Sequence, residues 1–172
     1  SQFPGGRSVI DFKRLIGQFV VSSGWRPGPH QWVSDQIGDW QLGRHPALPA
    51  MQLVGGEDRP VGWLIGYPIS GAGTLLTDGA CVRVPGPALR SEAELEKFIY
   101  AFGGRFAVVM LGAHLRFYVD PYGSLSALYC AHQRMIASTP NLIPYDEAGR
   151  DRVDLALAIG IPVGLAPMHA VD

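Results

Sequence analysis

Glycine and proline recur so often in this chain that only short elements of regular structure fit between them. The 172 residues include 22 glycines and 14 prolines, which is high for a helical protein and ordinary for one built from short strands and turns. Hydrophobic residues make up 47% of the sequence, enough for a substantial core at single-domain size. We therefore expect one domain, residues 1–172, dominated by β-structure.

Charge and cysteine content exclude several classes of protein. The formal net charge is -1 and no segment concentrates basic side chains, so nucleic acid is not an expected partner. Apolar runs fall well short of the ~20 residues that span a membrane, and no signal peptide is recognised, so we expect no membrane contact and a cytoplasmic location. Cys81 and Cys130 form no CxxC pair, and the histidines lack the spacing of ligands. We expect no metal and no cofactor.

Runs of β-branched and aromatic residues predict the strands of the first half. The first run, residues 18–23, is ended by Gly24. A turn at Gly55-Gly56-Glu57-Asp58 predicts a hairpin between the runs on either side of it. The remaining strands are predicted at residues 32–42, 50–54 and 59–69, with a short edge strand at residues 80–84.

Apolar residues at helical spacing predict three helices. The clearest begins at Ser91, where Ser91 and Glu94 form a capping box, and ends at Gly103-Gly104. A shorter helix is predicted before Gly17, and another runs from Asp151 to about residue 159.

The second half of the chain carries a run of strands and turns. Strands are predicted at residues 105–111 and 115–119, joined by a tight turn. Asp120-Pro121-Tyr122-Gly123 then places Asp, Pro and Gly where a type I turn favours them. Two more strands, at residues 127–131 and 135–138, are predicted to complete an antiparallel meander.

Several motifs of this half occur in the same order in a known family. Gly104-Arg105-Phe106-Ala107 resembles the Gly-x-Phe-Ala strand of the class II glutamine amidotransferase domain of asparagine synthetases. The turn at residues 120–123 and the following Leu128-Tyr129 are similar to that family's Asp-x-x-Gly turn and Leu-Tyr strand, with one extra residue here. Ala137-Ser138 resembles its Ala-Ser strand end, and residues 61–69 fall where the family has a strand ending in Asn-Gly-Glu-Ile.

This resemblance implies an α+β fold, an Ntn-hydrolase-like four-layer sandwich with two antiparallel β-sheets between helices. An unrelated two-layer α+β domain or a β-sandwich is the alternative. Residues 1–17 would then form an N-terminal extension. Residues 161–172 would form a C-terminal segment that leads to a lost or missing synthetase domain.

The family's catalytic residues are absent from the matching positions. Its N-terminal cysteine uses its own α-amino group as base, whereas the first predicted strand here neither carries a cysteine nor begins the chain. The Asn-Gly pair of the family's oxyanion hole reads Ile65-Gly66. Arg90 stands where a carboxylate would grip the substrate amine, and Arg44 is the nearest candidate for the arginine that binds the substrate carboxylate. The candidate binding residues are therefore Gly66, Arg44 and Arg90.

These departures predict an asparagine synthetase-like amidotransferase domain without glutaminase activity, a pseudoenzyme that acts as a structural or interaction module. In one version it is the N-terminal part of a larger amide-forming ligase and contacts a synthetase domain or a partner protein. No Ser-Gly-Gly-x-Asp-Ser loop for ATP pyrophosphate occurs in the chain.

Two other hypotheses stay open. The first is an active serine Ntn hydrolase made by N-terminal processing, for which Ser22, Ser23 and Ser1 are the candidate nucleophiles. The second is a domain that binds a small amino acid or amide in a vacated pocket near Gly66.

Overall fold

The computed structural model describes residues 17–24, 31–112, 115–131, 133–139 and 142. Within these ranges the chain forms ten strands and one α-helix. In chain order they are β1 (Phe19–Ser23), β2 (Val33–Ile37), β3 (Trp40–Arg44), β4 (Ala50–Val54), β5 (Pro60–Ile69), β6 (Cys81–Arg83), α1 (Glu92–Tyr100), β7 (Gly103–Met110), β8 (Arg116–Val119), β9 (Leu128–Cys130) and β10 (Met135–Ala137).

The strands form two five-stranded sheets. The first sheet has the order β2-β3-β1-β10-β9 and is antiparallel throughout. The second has the order β6-β4-β5-β7-β8, and only the β4–β6 pair is parallel. The expected α+β fold with two mostly antiparallel sheets is therefore confirmed.

The main core lies between the two sheets. Because side chains alternate along a strand, every second residue of β1 and β3 points to the second sheet. Burying each large apolar side chain contributes roughly 1.5–3 kcal/mol. The buried members of this core are Phe19, Val21, Leu42, Leu48, Ala50, Trp63, Ile65, Ala107, Val109, Leu125, Ala127 and Ile136.

A second core lies between the opposite face of the second sheet and α1. Leu95 and Ile99, on one side of the helix, are fully buried and cluster with Leu64, Phe106 and Val108 of the sheet. The apolar stripe read from the sequence thus does pack against a sheet. No helix in the described ranges is both long enough and apolar enough to cross a membrane.

The start of α1 is as predicted, but its capping box is wrong. Ser91 has extended backbone angles and makes no side-chain cap hydrogen bond. Glu94 instead accepts a hydrogen bond from Lys97 Nζ at 2.6 Å, so its carboxylate is engaged one turn further along the helix. A Tyr118 hydroxyl donates to Glu92 at 2.6 Å and ties the helix start to β8.

Gly103 and Gly104 are the first residues of β7, which corrects their prediction as the end of the helix. Gly104 has φ +88°, and a Cβ there would lie 2.3 Å from the Tyr67 carbonyl oxygen. The glycine allows the neighbouring strand to approach closely.

The predicted strand at residues 32–42 is in fact two strands. Gly38 adopts φ +57°, and with Asp39 it turns the chain between β2 and β3, which pair antiparallel. A glycine followed by Asp is a hairpin signal, and here it interrupts an otherwise continuous run. The other strands of the first half, β1, β4, β5 and β6, are confirmed.

The predicted meander in the second half is only partly confirmed, because β9 and β10 pair antiparallel as expected but β9 does not pair with β8. β7 and β8 form the expected hairpin, but β9 and β10 belong to the first sheet, where β10 pairs with β1. The turn at residues 120–123 starts a crossing from one sheet to the other. The helices predicted before Gly17 and after Asp151, and the segment 161–172, lie outside the described residues.

Candidate functional site

Residues 45–49 join β3 to β4 and form a second crossing between the sheets. Two of the predicted binding residues, Arg44 and Gly66, donate hydrogen bonds to this segment. Its last three carbonyl oxygens each accept a hydrogen bond from a different donor. Tyr67 Oη donates to Ala47 O at 2.7 Å, Arg44 Nη1 to Leu48 O at 2.6 Å, and the Gly66 amide to Pro49 O at 2.8 Å. We call residues 45–49 the crossover. Arg44 and Gly66 therefore donate to the carbonyls of two consecutive residues, Leu48 and Pro49.

Arg44 is the only cation among the buried charged side chains of the described ranges, with 4% of its surface exposed. Besides Leu48, its guanidinium meets two carboxylates. Nη2 lies 2.9 Å from Asp78 Oδ1, and Nε lies 3.6 Å from Asp35 Oδ2. The second distance is too long for a hydrogen bond, and Nε has no hydrogen-bond partner. Pairing offsets most of the cost of burying this charge.

The two carboxylates sit at the boundary with solvent. Asp35 is 44% and Asp78 55% exposed. Asp78 Oδ1 also accepts a hydrogen bond from the Ala50 amide at 2.8 Å, immediately after the crossover. With both carboxylates ionised, one positive and two negative charges leave this cluster with a net charge of -1. The sequence analysis missed Asp35 and Asp78, because no local motif marks them.

The crossover adjoins the start of β1. Phe19, the first residue of β1, lies opposite Arg44 in the register of the first sheet. Its amide donates to Ser138 Oγ at 2.9 Å, and that hydroxyl donates to Gln18 Oε1 at 2.6 Å. The His45 amide donates to the Gln18 carbonyl at 3.0 Å. Ser138 had been matched to a family motif, but its place at this strand start was not foreseen.

Gly66 is required by the backbone rather than by an open pocket. Its φ is +109°, and a Cβ there would lie 2.5 Å from Arg105 O and 2.7 Å from Leu125 Cδ1. A side chain at position 66 would therefore collide with β7 and with Leu125. Its neighbour Ile65 is fully buried between the sheets and has no side-chain donor.

Arg90 lies away from this cluster in the fold. It is exposed and precedes α1, and its amide donates to the Pro87 carbonyl at 3.0 Å. The neighbouring Ala88 belongs to the core under the helix, on the opposite face of the second sheet from the main core. No contact among the described residues joins Arg90 to Arg44 or Gly66.

The candidate serines occupy the other end of β1. Ser22 is fully buried and lies opposite Gln41 and Met135 in the sheet register. Ser23 is the last residue of β1 and is partly exposed. Cleavage before either serine would separate the buried residues 19–21 from the middle of the first sheet. Ser1 lies outside the described residues.

The ionisable groups with shifted pKa values lie around α1. Burial raises the pKa of Tyr118 above its usual value of 10, and the hydrogen bond to Glu92 raises it further. Burial, and then the charge of Glu96, raises the pKa of Tyr100. Both shifts favour the neutral phenol, which suits a structural contact and not a base.

Histidine, cysteine and acidic side chains do not gather in threes at any place in the described ranges, so no metal site is seen there. The cluster at Arg44 pairs charges and holds the backbone of the crossover through Leu48 O and the Ala50 amide. It brings no nucleophilic thiol beside the guanidinium within those ranges.

No protein-family model matches the chain, and neither a curated protein nor a solved structure matches it. The likeness to amidotransferase domains therefore rests on the sequence motifs alone.

Proposed function

We propose that this chain is an amidotransferase-like domain of the Ntn-hydrolase type that has no glutaminase activity and acts as a structural or interaction module. Three features support the proposal. Two mostly antiparallel sheets lie face to face, α1 covers the outer face of one of them, and the start of β1 adjoins an arginine. A four-layer arrangement, with helices on both outer faces, belongs to this proposal.

The observation that carries the proposal is that Arg44 is already bonded within the chain. Leu48 O and the Asp78 carboxylate already pair with its Nη1 and Nη2 groups, so a substrate carboxylate at this edge of the guanidinium would have to displace Asp78. Ile65 supplies no donor for an oxyanion, and the loss of one such donor costs about 3 kcal/mol in the transition state. Without a nucleophile the covalent route is absent altogether.

An interaction role needs a surface for a partner. Tyr67, Ile69 and Leu75 are large hydrophobic residues that are 39%, 38% and 54% exposed, and Ile69 and Leu75 lie opposite each other in a β-bridge. Exposed apolar residues on neighbouring backbone segments suit a protein interface. We assign this surface to the contact with a synthetase domain or partner protein.

The test is ammonia release from glutamine by the purified full chain. We expect no ammonia above a buffer blank, and the same result for the Arg44→Met and Arg90→Met variants. Release that Arg44→Met abolishes and Arg90→Met retains would contradict the proposal, because it would assign the arginine to a working site.

Intact-mass measurement on protein from its native host tests the serine-hydrolase alternative. We expect no chain that begins at Ser22 or Ser23, because either cleavage would remove a buried part of the first sheet. A chain that does begin at one of these serines would revive that alternative.

A second candidate, binding of a small amino acid or amide, is favoured by the mixture of charges at the crossover. The Arg44 Nε has no hydrogen-bond partner and can donate to a carboxylate or carbonyl oxygen, and the partly exposed Asp35 and Asp78 can accept hydrogen bonds from an amine or amide. A thermal-shift series with amino acids and amides tests it. Stabilisation that Arg44→Met removes would support this candidate, and no stabilisation by any of them would count against it.

A further inference from the structure

One edge of the Arg44 guanidinium has an unusual set of partners. Nε and Nη2 together form a fork whose spacing fits the two oxygens of a single carboxylate. Here the fork meets two separate carboxylates instead. Asp78 takes Nη2 at 2.9 Å, while Asp35 stays 3.6 Å from Nε, which has no hydrogen-bond partner. The Nε of a buried guanidinium is thus left without a hydrogen-bond partner.

The backbone on both sides of Asp78 is held by hydrogen bonds that do not involve its side chain. The Gly79 amide donates to Ala50 O at 3.0 Å, and the Leu76 amide donates to Pro68 O at 3.0 Å. These bonds hold the segment on both sides of Asp78 against β4 and β5. Loss of the carboxylate would therefore open the Nε and Nη2 edge of the guanidinium, from the partly exposed side where Asp78 lies, to a small anion.

We propose that Arg44 is a receptor for small carboxylates that Asp78 keeps closed. A carboxylate of the size of acetate, placed where Asp78 now lies, would bind Nε and Nη2 together and satisfy both donors. Asp35 would oppose it by charge repulsion and so limit its affinity. Asp78 is thus an internal ligand, and its displacement opens the site. This inference stands independently of the amidotransferase resemblance.

The experiment measures the melting temperature of the full chain in sodium acetate and in sodium chloride at equal ionic strength. In Asp78→Ala we expect acetate to raise Tm by about 4 °C at ten times its dissociation constant, by mass action on the folded state. Wild-type protein should show no such difference between the two salts. Asp35→Asn is the matched control, because it removes a carboxylate from Arg44 but leaves Asp78 in place, and it should behave as wild type.

Arg44 must carry the effect. The double variant Arg44→Met, Asp78→Ala should lose the response to acetate. The same response in that double variant, or an equal response in wild type, would overturn the proposal, as would no response in a folded Asp78→Ala protein.

If Asp78→Ala does not fold in chloride, folding restored by acetate supports the proposal. Asp78→Ser then repeats the test in a variant that keeps an acceptor for the Ala50 amide. No acetate response in folded Asp78→Ser would overturn the proposal. Ammonia release is not measured here, so this outcome is separate from the test of the proposed function.

Discussion

Two buried charged side chains, Asp120 and Arg44, obtain their partners from different parts of the chain. Asp120 is 1% exposed, and it accepts hydrogen bonds from the Tyr122 and Ser124 amides and the Ser124 hydroxyl, all within four residues. One further donor, the Phe106 amide, comes from β7. Arg44 instead donates to a carbonyl of the crossover and forms ion pairs with carboxylates of β2 and of a distant loop.

The Asp120 turn is therefore a local structure, whereas the Arg44 cluster depends on the cooperative folding of several segments. The turn around Asp120 forms mainly from its own residues, and its two long-range hydrogen bonds are both with one residue, Phe106. The cluster at Arg44 exists only when both sheets and the loop that carries Asp78 are in place. Its partners come from the crossover, from β2 and from the loop that carries Asp78, and together they leave Arg44 Nε without a hydrogen-bond partner.

The largest effect is expected from Arg44→Met, which should lower the free energy of unfolding by about 3 kcal/mol. The substitution leaves the buried Leu48 carbonyl without its donor and separates Asp35 and Asp78 from their counter-charge. Urea denaturation measures it, with Arg44→Lys as the matched control, which keeps the charge and should lose less. A loss below roughly 0.5 kcal/mol would show that the arginine does not stabilise the crossover.

Asp120→Ala should lower the free energy of unfolding by about 2 kcal/mol, because it leaves the Phe106 and Ser124 amides without an acceptor. Asp120→Asn keeps one side-chain oxygen and should cost about half as much. Equilibrium denaturation of both variants tests the local turn. Equal costs for Ala and Asn would mean that the charge, and not the number of hydrogen bonds, stabilises this turn.

A third polar contact, between Tyr118 and Glu92, makes stability depend on pH. The pKa of Tyr118 is raised in the folded chain, so the unfolded chain loses its phenol proton first as pH rises. The neutral, buried Tyr118 therefore stabilises the folded chain fully below pH 10, and this contribution to the free energy of unfolding decreases as the pH rises above 10. Between pH 9 and pH 11 the wild type should lose about 1 kcal/mol more than Tyr118→Phe. Parallel pH profiles of the two proteins would contradict this.

The smallest effect is expected from Tyr67→Phe, which should lower the free energy of unfolding by about 0.5 kcal/mol. The Tyr67 hydroxyl donates to Ala47 O, but the residue is 39% exposed, and water can replace the lost donor. Thermal denaturation measures it. A cost as large as that of Arg44→Met would mean that the outer bond of the crossover is as important as the buried one.

Sequence patterns predicted the parts of the fold in which neighbours along the chain decide the structure. The turn at residues 120–123 forms as its Asp, Pro and Gly positions indicate, with the Gly123 amide donating to Asp120 O at 2.8 Å. The apolar stripe of α1 likewise specified which side of the helix is buried, and Leu95 and Ile99 are fully buried there.

What was missed depends on contacts between distant segments. Nothing local indicates that β9 and β10 leave β8 and join the first sheet through β1, because that choice is made by packing and by the contact of Ser138 with Phe19. Asp78 meets Arg44 from 34 positions further along the chain. Arg44 was only the nearest candidate for the family's carboxylate-binding arginine, and its internal partners could not be predicted without the folded sheets.

A double-mutant cycle between Arg44 and Asp78 tests the central claim most directly. The four proteins are wild type, Arg44→Met, Asp78→Asn and the double variant, and unfolding free energies give the coupling between the two side chains. We predict a favourable coupling of about 1 kcal/mol, reduced by the exposure of Asp78, and a smaller one in the same cycle with Asp35→Asn. Additive effects of Arg44→Met and Asp78→Asn would show that Asp78 is not the internal ligand of Arg44.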